Sequence, residues 1–83
     1  MYDKYSQATQ FSVNGTKLPK HKGLLLINSD KTNNAYARMQ VLNVSGTTGN
    51  IDFYVSAAAS SIIPIECYAG VTMQAGVTGW LLN

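Results

Sequence analysis

Apolar residues in this chain come in short runs and never form a helical stripe. GLLLIN (23–28), AYARMQVLNV (35–44), IDFYVS (51–56), IIPIECY (62–68), VTMQ (71–74) and VTGWLLN (77–83) are rich in β-branched and aromatic residues. Between them lie SDKTNN, SGTTGN, AAASS, Ala69-Gly70 and Ala75-Gly76, all compositions that turn or interrupt a chain. Runs this short, with turn residues about every ten positions, predict strands. AAASS is too short for an independent helix and is read as a crossing between strands. The predicted fold is all-β: a small antiparallel β-sandwich or β-barrel.

Alternation assigns the faces. The middle residues of 35–44 are also fair helix formers, but alternation reads it as a strand, with Ala37, Met39 and Val41 on one side and Tyr36, Arg38 and Gln40 on the other. In IDFYVS, Ile51, Phe53 and Val55 point inward and Asp52, Tyr54 and Ser56 outward, so the two runs form a hairpin through SGTTGN. IIPIECY offers Ile63, Ile65 and Cys67 as its inward set, or the opposite set in the shifted register. Pro64 lacks an amide donor, which places that strand at an edge, at its own start or at a bulge. Ala69-Gly70 breaks or bends the strand, and Gly79 marks a bulge or a close approach within the last one.

Residues 1–22 differ in character. They hold four of the six basic residues, Lys4, Lys17, Lys20 and Lys22, and the turn-forming Asn14-Gly15. Two readings stand: an extended arm that reaches a neighbour, or an edge strand and loop of the same domain, favoured by the alternation of Phe11, Ser12 and Val13. Residues 23–83 form a single β-domain.

At 83 residues the chain buries only about 60–65% of the surface its unfolded form exposes, so a lone core is marginal. Its one cysteine, Cys67, excludes an intrachain disulfide, and one cysteine with one histidine, His21, cannot hold a four-ligand zinc site. Self-association is the remaining support for a fold this small, with an isolated monomer as the plainer alternative. Charged residues are 12% of the chain, about half the usual share. A net charge of +2 is too little for a nucleic-acid backbone, whose binding takes clusters of Lys and Arg. No run approaches the roughly 20 apolar residues of a membrane span, and YDKYSQATQ has no signal-peptide pattern, so a product folded in the cytoplasm is expected. Asn14-Gly15-Thr16 and Asn43-Val44-Ser45 match the glycosylation pattern and are read as turn chemistry.

Catalytic chemistry is thin, and no enzyme and no cofactor are expected. Cys67 reads as a buried strand residue and His21 as a solvated loop side chain, with nothing in sequence to join them. Among the carboxylates Asp3, Asp30, Asp52 and Glu66, Asp30 looks like a turn residue, and Asp52 and Glu66 like outward strand positions. KLPKHK, the only charge cluster, is either a contact for an acidic partner or a solubilising loop. Tyr2, Tyr5, Tyr36, Tyr54, Tyr68 and Trp80 lack interleaved basic residues, which favours packing over base stacking.

The closing stretch carries a resemblance. An Ile-Pro-Ile strand, a short step to Val-Thr, a small-residue turn and a Thr-Gly-aromatic-Leu ending are similar to small virion proteins of tailed bacteriophages. The nearest pattern is that of capsid decoration and head-spike-base proteins, in which an early apolar strand (here GLLLIN) precedes a polar hairpin and a motif like IIPIECYAGVT. The likeness covers about residues 23–83. The chain departs from it in having Cys67-Tyr68 where basic residues are expected, and in its longer N-terminal stretch.

The resemblance implies a β-protein of the virion that assembles, as a homotrimer or larger ring, on the outer capsid surface after synthesis in the host cytoplasm. Its partners would be itself and the major capsid protein, with no nucleic acid and no membrane. Tyr68, Met73, Trp80, Leu81 and Leu82 are then expected at a subunit interface or in the core beside one. Phe11, Lys17, Lys20 and Lys22 are expected to face the capsid. The alternative is a tail or fibre component, or a carbohydrate-binding β-module, with Tyr36, Arg38 and Gln40 as its ligand face. A soluble accessory protein is the plainest third reading.

Overall fold

A computed structural model describes residues 5–83; Tyr2, Asp3 and Lys4 lie outside the described residues. Seven strands run in chain order: β1 (Ala8–Phe11), β2 (Gly23–Asn28), β3 (Ala35–Leu42), β4 (Thr48–Val55), β5 (Ser60–Ile63), β6 (Ala69–Met73) and β7 (Val77–Leu82). They form two antiparallel sheets, one ordered β1-β7-β2-β5 and the other β4-β3-β6. The described residues contain no helix. The two layers make a slab of 38 × 32 × 19 Å, so the fold is all-β as the turn spacing predicts, with the packing of a sandwich.

Alternation builds the core between the layers. Leu24, Leu26 and Leu81 enter it from the four-stranded sheet, and Ala37, Met39 and Val55 from the three-stranded one. Leu18 and Cys67 close its side from the connections. Ile63, Ile65 and Cys67 are the inward set of 62–68, while Ile62, Pro64 and Glu66 are exposed. The 35–55 hairpin pairs Ala35 with Val55 through to Leu42 with Thr48. Its loop is shorter than SGTTGN suggests, because the Asn43 N–H donates to the Thr47 carbonyl (2.7 Å) and Gly46 takes the left-handed conformation that turns the chain. Ile51 pairs with Met39 and so shares the inner side, but β4 is the edge of its sheet and leaves Ile51 40% exposed.

Two expectations change in the closing stretch. IIPIECY is not one strand: β5 stops at Ile63, at the free edge of its sheet, and residues 64–68 carry the chain across to the other layer. Pro64, which cannot donate to a ladder, sits at that stop. Ala69-Gly70 starts β6 rather than breaking a strand, and the pairing of β3 with β6 shifts register between Arg38 and Met39.

Of residues 1–22, the described part lies against the domain. β1 pairs with β7 from Ala8↔Leu82 to Phe11↔Gly79. A Cβ on Gly79 would stand 2.6 Å from the Phe11 ring, and one on Gly70 would collide with the Val13 side chain. The absence of a side chain at each glycine is therefore what lets this stretch seat Phe11 and Val13. Gly79 is a close approach, one of its two predicted roles.

Candidate interaction surfaces

The two groups with latent chemistry are brought together by the fold, against the expectation from sequence. His21 is 3% exposed and not a solvated loop residue. Its Nε2 accepts the Cys67 backbone N–H (2.9 Å), which leaves Nδ1 as the protonated nitrogen, donating to the Pro19 carbonyl (2.7 Å). The ring thus staples the β1–β2 connection to the β5–β6 crossing, 46 residues away. The Cys67 thiol points into the core. Burial, with a smaller contribution from the Glu66 charge, pushes its pKa up to about 11. A thiol held protonated at neutral pH is a poor nucleophile, so this pair is structural. A cleft of about 200 Å³ opens beside it, lined by Lys17, Leu18, Leu42, Glu66, Cys67 and Tyr68. Lys17 Nζ lies 5.7 Å from the centre of the Tyr68 ring. Among the described residues no group of three His, Cys, Asp or Glu side chains is placed to hold a metal ion.

The outer face of the three-stranded sheet is polar and aromatic. Cross-strand register puts Tyr36 opposite Tyr54, Arg38 opposite Asp52 and Gln40 opposite Asn50. Arg38 grips Asp52 through two donors, Nε to Oδ1 (2.7 Å) and Nη2 to Oδ2 (3.1 Å). That hydrogen-bonded pairing lowers the Asp52 pKa and raises that of Arg38. The Tyr36 and Tyr54 rings meet at 5.4 Å, tilted by 59°, and the guanidinium lies 5.3 Å from the Tyr36 ring centre. Tyr54 is 69% exposed. The ligand-face candidates Tyr36, Arg38 and Gln40 are thus together, joined by Asp52, Tyr54 and Gln74, whose Oε1 accepts the Tyr36 N–H (3.0 Å).

The outer face of the four-stranded sheet is of the opposite kind. Residues paired across neighbouring strands share a side, so Ile62, Leu25, Trp80 and Gln10 form one row across all four strands. Ser60, Ile27 and Thr78 form the next. Ile62 is 57% exposed and Ile27 37%; Leu25 and Trp80 are half-buried. Neither row holds a charge. Trp80 Nε1 is shielded from solvent and finds no acceptor among the described residues.

The residues expected at an interface or core therefore separate. Leu81 is in the core and Met73 packs against it. Trp80 belongs to the outer apolar face, Tyr68 to the cleft. Leu82 is buried at the end of β7, opposite Gly23. Of the residues expected to face a capsid, Phe11 packs against the core. Lys17, Lys20 and Lys22 are exposed on the β1–β2 connection. Lys20 and Lys22 stand at the start of β2: the Lys22 N–H donates to the Leu82 carbonyl (2.8 Å), and the Lys20 carbonyl accepts Asn83 Nδ2 (3.4 Å).

Leu25, Ile27 and Ile62 did not stand out as surface residues in the sequence, yet a signal was present. A strand of a two-layer antiparallel sandwich should alternate, with its second face solvated. GLLLIN does not alternate; it reads as a strand covered on both sides. Comparison with protein-family models, curated proteins and solved structures finds no match to this chain.

Proposed function

We propose that the protein is a structural subunit of a tailed-phage virion, a capsid decoration or head-spike-base protein that acts by self-association and by docking on the outer capsid surface. The observation that carries this reading is the uncharged, apolar outer face of the four-stranded sheet. Contiguous exposed apolar surface in a small soluble domain marks a place where another protein sits. The likeness of residues 23–83 to such virion proteins supplies the setting and implies a trimer or larger ring. The exposed lysines 17, 20 and 22 are the residues left to meet capsid protein, Phe11 being occupied in the core. The deeply buried, protonated Cys67 and its structural partner His21 supply no nucleophile, which weighs towards a binding role.

The test is quantitative mass spectrometry of purified virions of the phage that encodes the chain. Hundreds of copies per particle are the outcome for a decoration protein, and a few to several dozen for a spike base. Absence from particles would overturn the reading.

A second reading is favoured by one observation. The open Tyr54, beside Tyr36 and the neutralised Arg38–Asp52 pair, offers an aromatic face edged by hydrogen-bonding groups, a combination suited to neutral sugars. Glycan-dependent protection of Tyr36 and Tyr54 in the isolated protein would support a tail, fibre or carbohydrate-binding role.

A further inference from the structure

We infer that the apolar outer face of the four-stranded sheet is covered by the same face of a second copy, about a twofold axis lying between the two sheets. This rests on the self-association in the reading above, and names the surface that performs it. Four features point to a second copy as the occupant. First, β2 reads as a strand covered on both sides, while the described residues bury only one side fully: Leu24 and Leu26 are fully buried, and Leu25 and Ile27 are not.

Second, the face is electrically neutral. Gln10, Leu25, Ile27, Ser60, Ile62, Thr78 and Trp80 can meet their own copies without a like-charge contact, although the chain as a whole carries +2. An uncharged patch of this kind is complementary to itself, which is what an isologous contact requires. Third, the face spans its sheet: the row Gln10, Trp80, Leu25 and Ile62 crosses all four strands, and Ser60, Ile27 and Thr78 continue it along them.

Fourth, the charges beyond the ends of β2 choose the orientation. Lys20 and Lys22 precede the strand, offset only in part by Glu66, whose Oε2 accepts the His21 N–H (3.4 Å) between them; Asp30 and Lys31, which offset each other, follow it. An axis perpendicular to the strands sets the lysine end of one copy over the balanced end of the other and keeps the two lysine ends apart. An axis along the strands would stack lysine on lysine. The perpendicular axis therefore gives two aligned sheets packed face to face about 10 Å apart, with Ile62, Leu25 and Trp80 at the centre. Such contacts build pairs, where the resemblance implies threes.

Sedimentation equilibrium of the full chain over a wide concentration range tests this, alongside Ile62→Glu and Ile27→Glu and with Val71→Glu as a control. Val71 is an exposed apolar residue of the other sheet. All three substituted positions lie on strand surfaces, and circular dichroism of each variant shows whether it is folded. The expected result is a species of twice the 9.0 kDa chain mass, an apparent dissociation constant raised about 100-fold by either Glu substitution on the apolar face, and no change from Val71→Glu. A wild-type chain that stays monomeric at every concentration overturns the inference, as does a mass of three chains. A dimer that folded Ile62→Glu and Ile27→Glu leave intact overturns it too. A monomer would also remove self-association from the proposed function and assign the face to a capsid protein, while membership of the virion is decided separately by the copy number in particles.

Discussion

The two outer faces of this sandwich follow the same rule of alternation and end with opposite surfaces. On the three-stranded sheet, alternation hands solvent a set of side chains that satisfy one another: Arg38 with Asp52, Tyr36 with Tyr54, Gln74 with the Tyr36 backbone. On the four-stranded sheet, the same alternation hands solvent Leu25, Ile27, Ile62 and part of Trp80. A strand's inner set decides how the chain folds, and its outer set decides what the folded chain does next. One layer finishes its interactions within the chain; the other leaves them open.

The sharpest test of that contrast compares neighbours on β2. Leu26→Ala removes a fully buried side chain and is expected to cost about 2–5 kcal/mol of folding stability. Leu25→Ala, one residue away on the outer side, is expected to cost far less in the unassociated chain. Urea titration of both at low concentration measures the difference, and equal losses would mean the two sides of β2 are not distinct. Trp80→Ala belongs with Leu25→Ala for the same reason, because its ring lies on the outer side.

A smaller loss is expected at the staple between the connections. His21→Ala leaves the buried Cys67 N–H without its acceptor and should cost about 1–3 kcal/mol. The same substitution should open Cys67 to thiol reagents at pH 8, where the folded parent, its thiol pKa near 11, reacts only on unfolding. Rapid labelling of the folded parent would contradict the assigned burial.

Acid should act on carboxylates held by the fold. Asp52 is lowered from its ordinary value of 3.8 by Arg38. Asp30 falls to about 2 because the Thr32 and Asn33 backbone N–H groups donate to it. A carboxylate lowered in the folded state stabilises above its unfolded pKa, and that contribution fades as pH falls through the folded value. Stability is thus expected to decline between about pH 4 and pH 2, with a shallower decline in Asp30→Asn, as read by thermal melts. The smallest effect is expected from Tyr54→Ala, about 0.2–1 kcal/mol, the worth of one exposed cross-strand pair.

Much of the fold was legible because strands of this kind write their period into the sequence. Ala37, Met39 and Val41 declared the inner side of β3, and Asn14-Gly15 and Ala75-Gly76 marked turns, although Ala69-Gly70 did not. What escaped notice depends on contacts between distant residues. Nothing near His21 shows that its ring meets residue 67, so a lone histidine between lysines reads as solvated. IIPIECY looks continuous because its apolar period survives the crossing between sheets; only the missing donor at Pro64 hints that the ladder ends there. Of the candidate surfaces, the Tyr36–Arg38–Gln40 face was visible by alternation alone. The apolar face was not, since a residue facing outward and a residue facing a second layer look alike in GLLLIN until the layers are counted.

The central claim is that one broad face is closed by association and the other stays open. Hydroxyl-radical footprinting of the full chain, at concentrations below and above association, reads both faces in one experiment. Leu25, Ile27, Ile62 and Trp80 are expected to lose reactivity as concentration rises while Tyr36 and Tyr54 keep theirs. Protection of the tyrosines with Ile62 and Trp80 unchanged would contradict it.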